Sequence, residues 1–232
     1  MSNIELVIFD CDGVLVDSEI IGIHIEAELL HSAGCSISIE ELTERFSGMS
    51  WRGILLSLEK ETGRPLLDRL LNKTESLLDT RLPEEVQAVA GVREVLEGIV
   101  YPFCICSNTK LSRVEAMLDR VNLRRFFGDR IFSAKDLGEG RSKPKPDVFL
   151  VGAERMGGAP SRTIVVEDSV HGVRGAHSAG MTVLGFTGGS HTYPGHAQRL
   201  REAGAHLTFS HMREFPGILA RLVAEGGRNA SA

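Results

Sequence analysis

Aromatic side chains are scarce in this chain, at 6% of 232 residues with a single tryptophan. That scarcity argues against a platform on which nucleic-acid bases would stack. Positive charge is not in surplus either. Lysine and arginine number 26 against 31 aspartates and glutamates, a formal net charge of -5, so no overall basic field attracts a polyanion. No uninterrupted apolar run approaches the roughly 20 residues that a bilayer-spanning helix needs. The amino terminus has neither the basic stretch nor the small-residue cleavage site of a secretory signal, and leads instead into a strand carrying acidic residues. Cysteines are few, at 11, 35, 104 and 106, and their spacing is not that of a zinc site. Strand alternation puts Cys104 and Cys106 on one face, where reduced thiols serve as small core residues. The expectation is a cytoplasmic protein, monomer or weak homodimer, with no nucleic-acid or membrane partner.

What is present begins at the first strand. Ile4–Phe9 is an apolar run of strand length that stops at Asp10-Cys11-Asp12-Gly13. Two carboxylates one residue apart repel each other and resist burial, so packing alone does not explain them. A cation between them does, and a hard divalent ion such as Mg²⁺ takes carboxylate and carbonyl oxygens.

From Ser18 to about Val86 the sequence reads as helices, near 19–33, 39–47, 51–62 and 66–79, divided by turn signals at Gly34, Gly48 and Gly63-Arg64-Pro65. Beyond that block strands and helices alternate. Strands are expected at 101–106, 130–133, 163–166, 182–185 and, weakly, 206–209. Helices are expected near 91–98, 110–121, 147–156, 170–179 and 211–224, with a frayed tail from Gly226. This alternation predicts an α/β fold: a Rossmann-like parallel sheet with helices on both faces, formed by residues 1–16 and 87–232. Residues 17–86 would be an inserted α-helical cap domain, leaving and re-entering at the carboxyl edge of the sheet, where such folds bind ligands.

Four strand ends at that edge carry polar groups: Asp10 and Asp12; Ser107-Asn108; the loop Ser142-Lys143-Pro144-Lys145-Pro146-Asp147; and Glu167-Asp168-Ser169. Together they suit phosphoryl transfer through an aspartyl-phosphate. Asp10 can be the nucleophile. Asp12 can protonate the leaving oxygen and then activate water. Ser107 and Lys143 can hold phosphoryl oxygens, and the amides at Ser107-Asn108 add anion binding at a helix start. Asp168 can anchor the metal, with Glu167 a direct ligand or one standing behind the ligands.

The motifs Asp10-x-Asp12-Gly13-Val14-Leu15-Val16-Asp17-Ser18, Ser107-Asn108, Lys143-Pro144-x-Pro146-Asp147 and Glu167-Asp168-Ser169-x-x-Gly172 resemble the haloacid dehalogenase superfamily. More narrowly, they resemble its phosphatase and β-phosphoglucomutase branch, over about residues 4 to 186. The resemblance implies Asp10 as nucleophile and Asp12 as acid/base. It implies Mg²⁺ held by Asp10, the Asp12 carbonyl and Asp168, and Ser107 and Lys143 at the phosphate. The second aspartate tells against the dehalogenases themselves.

Plainer roles are expected for several neighbours: a helix cap for Asp17-Ser18 and for Ser169, a surface position for Lys145, close helix approach at Gly172, and solvent for His191 and His196 in their glycine-rich loop. His24, on the first cap helix, is a weaker candidate to face the site. In the cap, Ser50, Trp51 and Arg52 are the candidates for substrate selection, Arg52 through a second anionic group, although Trp51 also suits helix packing. The mutase relative has a histidine where this chain has Gly22 and an arginine where it has Trp51, so a mutase is the lesser alternative. A non-catalytic receiver-type module lacks an inserted cap. The expected activity is a Mg²⁺-dependent phosphatase acting on a small phosphorylated metabolite, a sugar or sugar-acid phosphate.

Overall fold

The computed structural model describes residues 4–46 and 49–229. Strand β1 (Leu6–Phe9) is followed by four helices, α1 (Glu19–Ser32), α2 (Ile39–Phe46), α3 (Trp51–Thr62) and α4 (Leu67–Glu85). Then come α5 (Val92–Gly98), β2 (Phe103–Ser107), α6 (Leu111–Arg120), α7 (Arg124–Phe127), β3 (Ile131–Ser133) and α8 (Asp147–Met156). The chain ends with β4 (Thr163–Glu167), α9 (Val170–Ser178), β5 (Thr182–Phe186), α10 (His196–Ala203), β6 (Leu207–Phe209) and α11 (Phe215–Asn229). Among the described residues no helix is long and apolar enough to cross a membrane.

The strands form one parallel six-stranded sheet, ordered β3-β2-β1-β4-β5-β6. The alternation in β1 explains why it is buried on both faces. Val7 and Phe9 pack with α5, α6 and α11 on one side; Leu6 and Ile8 pack with α8, α9 and α10 on the other. Cys104 and Cys106 are free thiols within that second layer, and Cys11 and Cys35 are buried free thiols elsewhere. The strand order reverses at β1, so a crevice opens beyond the carboxyl ends of β1 and β4. Register makes the two ends level: Phe9 pairs with Val166, and the Asp10 amide donates to the Val166 carbonyl at 2.9 Å.

Helices α1 to α4 enclose a separate apolar core of Ile25, Leu30, Phe46, Leu55, Leu66 and neighbours. The chain leaves for this layer through Val16, which bridges to both Asp12 and Ala88, while the Asp17 amide donates to the Gln87 carbonyl. Helix α4 extends past the expected stop at 79 and through Pro83. Buried Leu82, and ion pairs from Arg81 to Glu28 and Glu85, hold that last stretch. Against α6 the same helix sets Glu75 and Asp79, which pair with the nearly buried Arg113 at 2.7 Å each; Asp79 also pairs with Lys110.

Other sequence expectations change here too, and the short helix α7 is a further addition. Helix α10 was not anticipated; Leu200 and Ala203 on one face and Gly204 as its stop are the signals for it. Helix α11 runs to Asn229 rather than fraying at Gly226, and residues 230–232 lie outside the described residues.

Candidate active site

Asp10 follows the last residue of β1, and Glu167 closes β4 with Asp168 next. All three are buried, and one carboxylate oxygen from each lies within 4.8 Å of the others. Two glycines make room for them. A Cβ on Gly13, whose φ is +72°, would fall 1.8 Å from Asp168 Oδ2. A Cβ on Gly172 in α9 would fall 1.8 Å from Glu167 Oε1.

The buried Lys143 sends its Nζ to Asp10 Oδ1 and, at 2.6 Å, to Glu167 Oε1. The second oxygen of Glu167 accepts from the amide and hydroxyl of Ser169, both at 3.0 Å, and the Ser169 hydroxyl also caps α9 by accepting from the Gly172 amide. Glu167 therefore holds the lysine in place from behind. Burial raises the Asp10 pKa well above the carboxylate norm; Lys143 opposes that, and the charges of Glu167, Asp168 and Asp12 add to it. Burial would lower the Lys143 pKa, but Asp10 and Glu167 outweigh it and hold the ammonium protonated.

Asp12 is turned differently. Its Oδ1 accepts from the Ser18 hydroxyl at 2.6 Å and its Oδ2 from Thr109 at 2.8 Å, with Ser107 Oγ at 3.4 Å. Its carboxylate is thus outside the trio that could grip a cation. Ser18 and Asp17 do not serve as helix caps: Ser18 makes no capping bond to α1, and the Asp17 carboxylate accepts from the Ser190 amide and hydroxyl. Asn108 was expected at the phosphate, but its side chain is spent on Lys143, accepting from that amide at 2.8 Å and donating to its carbonyl at 3.4 Å. Lys145 is exposed, as expected.

His191 and His196 are not surface residues. His191 Nε2 pairs with Asp168 Oδ2 at 3.1 Å. Burial alone would lower its pKa, but that bond and the charges of Asp168, Glu19 and Asp17 raise it to about 9. His196 Nε2 donates to the Asp168 carbonyl at 2.7 Å, and burial lowers its pKa. With Thr109, these are site neighbours that the sequence reading missed. Thr109 alone carried a signal, since it stands two residues after Ser107 at a strand-to-helix turn.

A cleft of about 260 Å³ opens above Asp168. Its cap wall includes Glu19, Ile23 and Glu26 of α1, Thr43 and Phe46 of α2 and Ile54 of α3; its core wall includes His171, His191 and Tyr193. Ser50, Trp51 and Arg52 do not line it. Ser50 caps α3 by accepting from the Gly53 amide, Trp51 donates its indole N–H to Thr74 at 2.8 Å, and Arg52 is exposed. Ser47 and Gly48 of that turn lie outside the described residues. His24 is exposed and off the cleft.

The buried trio carries more negative charge than Lys143 and His191 offset, which suits a hard divalent cation. The arrangement offers a strand-end carboxylate, a neighbouring carboxylate held by hydroxyls, and a buried ammonium at one sheet edge.

Known proteins show the same design. Residues 7–186 match the family described as haloacid dehalogenase-like hydrolase. The chain is 30% identical over 219 residues to the 6-phosphogluconate phosphatase of Escherichia coli (strain K12), covering 94% of this chain and 96% of that one. It is 28% identical over 181 residues to a phosphorylated carbohydrates phosphatase of Thermotoga maritima, covering 76% and 82%. A solved haloacid dehalogenase-like protein from Agrobacterium tumefaciens str. C58 superposes with a TM-score of 0.91 at 53% identity, covering 95% and 99%. The matched stretch takes in Asp10, Lys143 and Asp168, and the chain belongs to the haloacid dehalogenase-like hydrolase family.

Proposed function

We propose that the chain is a Mg²⁺-dependent phosphatase that hydrolyses a small phosphorylated carbohydrate through an aspartyl-phosphate on Asp10. One observation carries the reading: Asp10 lies at the switch point of the sheet on the ammonium of Lys143, with Asp12 two residues on and a carboxylate oxygen of Asp168 within 4.8 Å. The names of the E. coli and T. maritima relatives support the substrate class.

Asp10, Asp168 and the backbone carbonyl of Asp12 would hold the metal, with Glu167 behind Lys143. When bound, Mg²⁺ supplies positive charge that lets a carboxylate and a phosphate approach each other.

Asp10 attacks the phosphorus, and the bond from phosphorus to the ester oxygen breaks. Asp12 gives its proton to that leaving oxygen. Ser107 and Lys143 hold the phosphoryl oxygens as charge shifts. A water then attacks the phosphorus and passes its proton to Asp12. The bond to Asp10 breaks, inorganic phosphate leaves, and both aspartates return to their starting states. Residues 17–86 act as the cap, closing over the site and excluding bulk water.

Phosphate release across a panel of phosphorylated carbohydrates tests this. The wild type should turn over with Mg²⁺ and stop with EDTA, and Asp10→Asn should abolish release. Substantial turnover by Asp10→Asn, or full activity in EDTA, refutes the mechanism.

A further inference from the structure

The loop between β5 and α10 is pinned around one imidazole. Immediately before His191, the amide and hydroxyl of Ser190 donate to the Asp17 carboxylate, the amide at 2.9 Å. Immediately after it, the Thr192 amide donates to the Gly189 carbonyl at 3.1 Å and the Thr192 hydroxyl to the Thr187 carbonyl at 3.0 Å. Glycines on two segments clear the space that the ring takes. A Cβ on Gly13 would fall 2.9 Å from His191 Cε1, and a Cβ on Gly189 would fall 2.8 Å from both Cε1 and Nδ1. A larger residue at either position would push the ring aside.

This fixed ring meets Asp168. Its Nε2 lies 3.1 Å from Asp168 Oδ2, while its Nδ1 is buried and has no hydrogen-bond partner among the described residues. The hydrogen therefore belongs on Nε2, in the neutral ring as well as in the imidazolium. The same stretch of chain also holds the backbone of Asp168. His196, at the start of α10, donates from Nε2 to the Asp168 carbonyl at 2.7 Å, and Tyr193 stacks on the His196 ring with centroids 4.8 Å apart. Of the buried trio, Lys143 reaches Asp10 and Glu167. Asp168 is steadied from a different segment, by one imidazole on its carboxylate and another on its carbonyl.

We infer that His191 is a positioning residue for the cation site: its Nε2–H sets the rotation of the Asp168 carboxylate, and so the oxygen offered to the ion. An aspartate carboxylate turns about χ1 and χ2. An outer hydrogen-bond partner that removes this freedom strengthens metal binding by about 10- to 100-fold. Ser190 extends the hold to the insert, because it ties the His191 loop to the residue at which the chain leaves for α1. The inference rests on the Mg²⁺ part of the proposed function and needs neither the phosphorylated substrate nor turnover.

Titration calorimetry of Mg²⁺ into the substrate-free protein tests it, comparing the parent with His191→Phe and His191→Gln. Phenylalanine fills the slot and donates nothing; glutamine is uncharged and carries an N–H at about the reach of Nε2. His191→Phe should bind Mg²⁺ about 10-fold more weakly, the low end of the range because His196 still holds the Asp168 backbone. His191→Gln should restore most of the affinity. Melting curves without the ion show whether each variant is folded, and His191→Ala replaces His191→Phe if the latter is not. Binding by His191→Phe as tight as the parent's, or by His191→Gln as weak as that of His191→Phe, overturns the inference. So does tighter binding by both variants, the result expected of a ring that acts only as a resident positive charge. A parent that binds no Mg²⁺ below about 10 mM overturns the metal assignment of the proposed function together with the inference. A parent that binds Mg²⁺ with no effect of the His191 variants overturns the inference alone.

Discussion

The hydroxyl of Thr109 donates to Asp12 Oδ2 at 2.8 Å, tying the turn after β2 to the turn after β1. Ser18 holds the other oxygen, so the proton carrier of the proposed mechanism is fixed in orientation from two sides. Thr109→Val keeps the shape and removes the donor. The expected result is a kcat about 10-fold lower with KM nearly unchanged, since the bond matters to proton transfer and not to substrate binding. Thr109→Ser should restore most of the rate. Steady-state phosphate release on both variants reads this out.

The trio of Asp10, Glu167 and Asp168 predicts a stability effect that is independent of activity. An ion that binds only the folded chain adds about 2–3 kcal/mol at a hundredfold excess over its Kd. Millimolar Mg²⁺ should therefore raise Tm by several degrees, and Asp168→Asn should remove the increment. Differential scanning calorimetry with and without the ion measures it.

Arg113 joins the helical insert to the sheet layer. Its side chain is 8% exposed, while its partners Glu75 and Asp79 remain largely in solvent. Desolvation of the guanidinium would lower its pKa, but bonds from both acids outweigh that and raise it. Arg113→Ala should cost about 1–2 kcal/mol, between the values for exposed and buried pairs. Urea unfolding gives the number. Because the acids left behind are exposed, the loss should stay below that of breaking a fully buried pair.

Glu26 gives a pH dependence with a definite sign. Burial raises its carboxyl from 4.5 to about 8. Between those values the native state keeps a proton that the unfolded chain has already lost, so its contribution to stability falls as pH rises. Glu26→Gln should leave stability unchanged at pH 4 and add about 1–2 kcal/mol at pH 8, a discounted figure for a side chain that still touches water. Denaturant melts at the two pH values decide it; equal gains at both would sink the electrostatic account.

Strands β1, β2 and β4 are legible because each is an apolar run that gives way to a polar residue: Phe9 before Asp10, Cys106 before Ser107, Val166 before Glu167. Helices of the insert were legible to within a few residues where turn glycines mark their ends, as at Gly63. What stayed hidden depends on partners far off in the chain. His191 and His196 sit among glycines and read as solvent-facing, yet both bond to Asp168 on another strand end. Asn108 looks like a phosphate group's neighbour by position, and only the fold reveals that Lys143 takes both ends of its amide. In the insert, an arginine beside the lone tryptophan drew attention to the start of α3. The wall that faces the cleft comes from α1 and α2 with Met49 and Ile54, and on α1 Glu19 and Glu26 look like ordinary surface acids until the cleft is formed.

The segments entering and leaving the helical insert lie side by side, because Val16 bridges to Ala88 and the Asp17 amide bonds to Gln87. A paired ribbon bends readily but resists stretching and shear, since sliding one segment along the other would break its ladder. A swing of the insert about this ribbon would keep the pairing, whereas drawing it straight out would break it. Ser18 sits beside such a pivot, where the arc would be shortest, whereas Glu26 lies two turns further along α1 and would travel further. A swing that carries the far wall away from a departing product would leave the grip on Asp12 almost undisturbed.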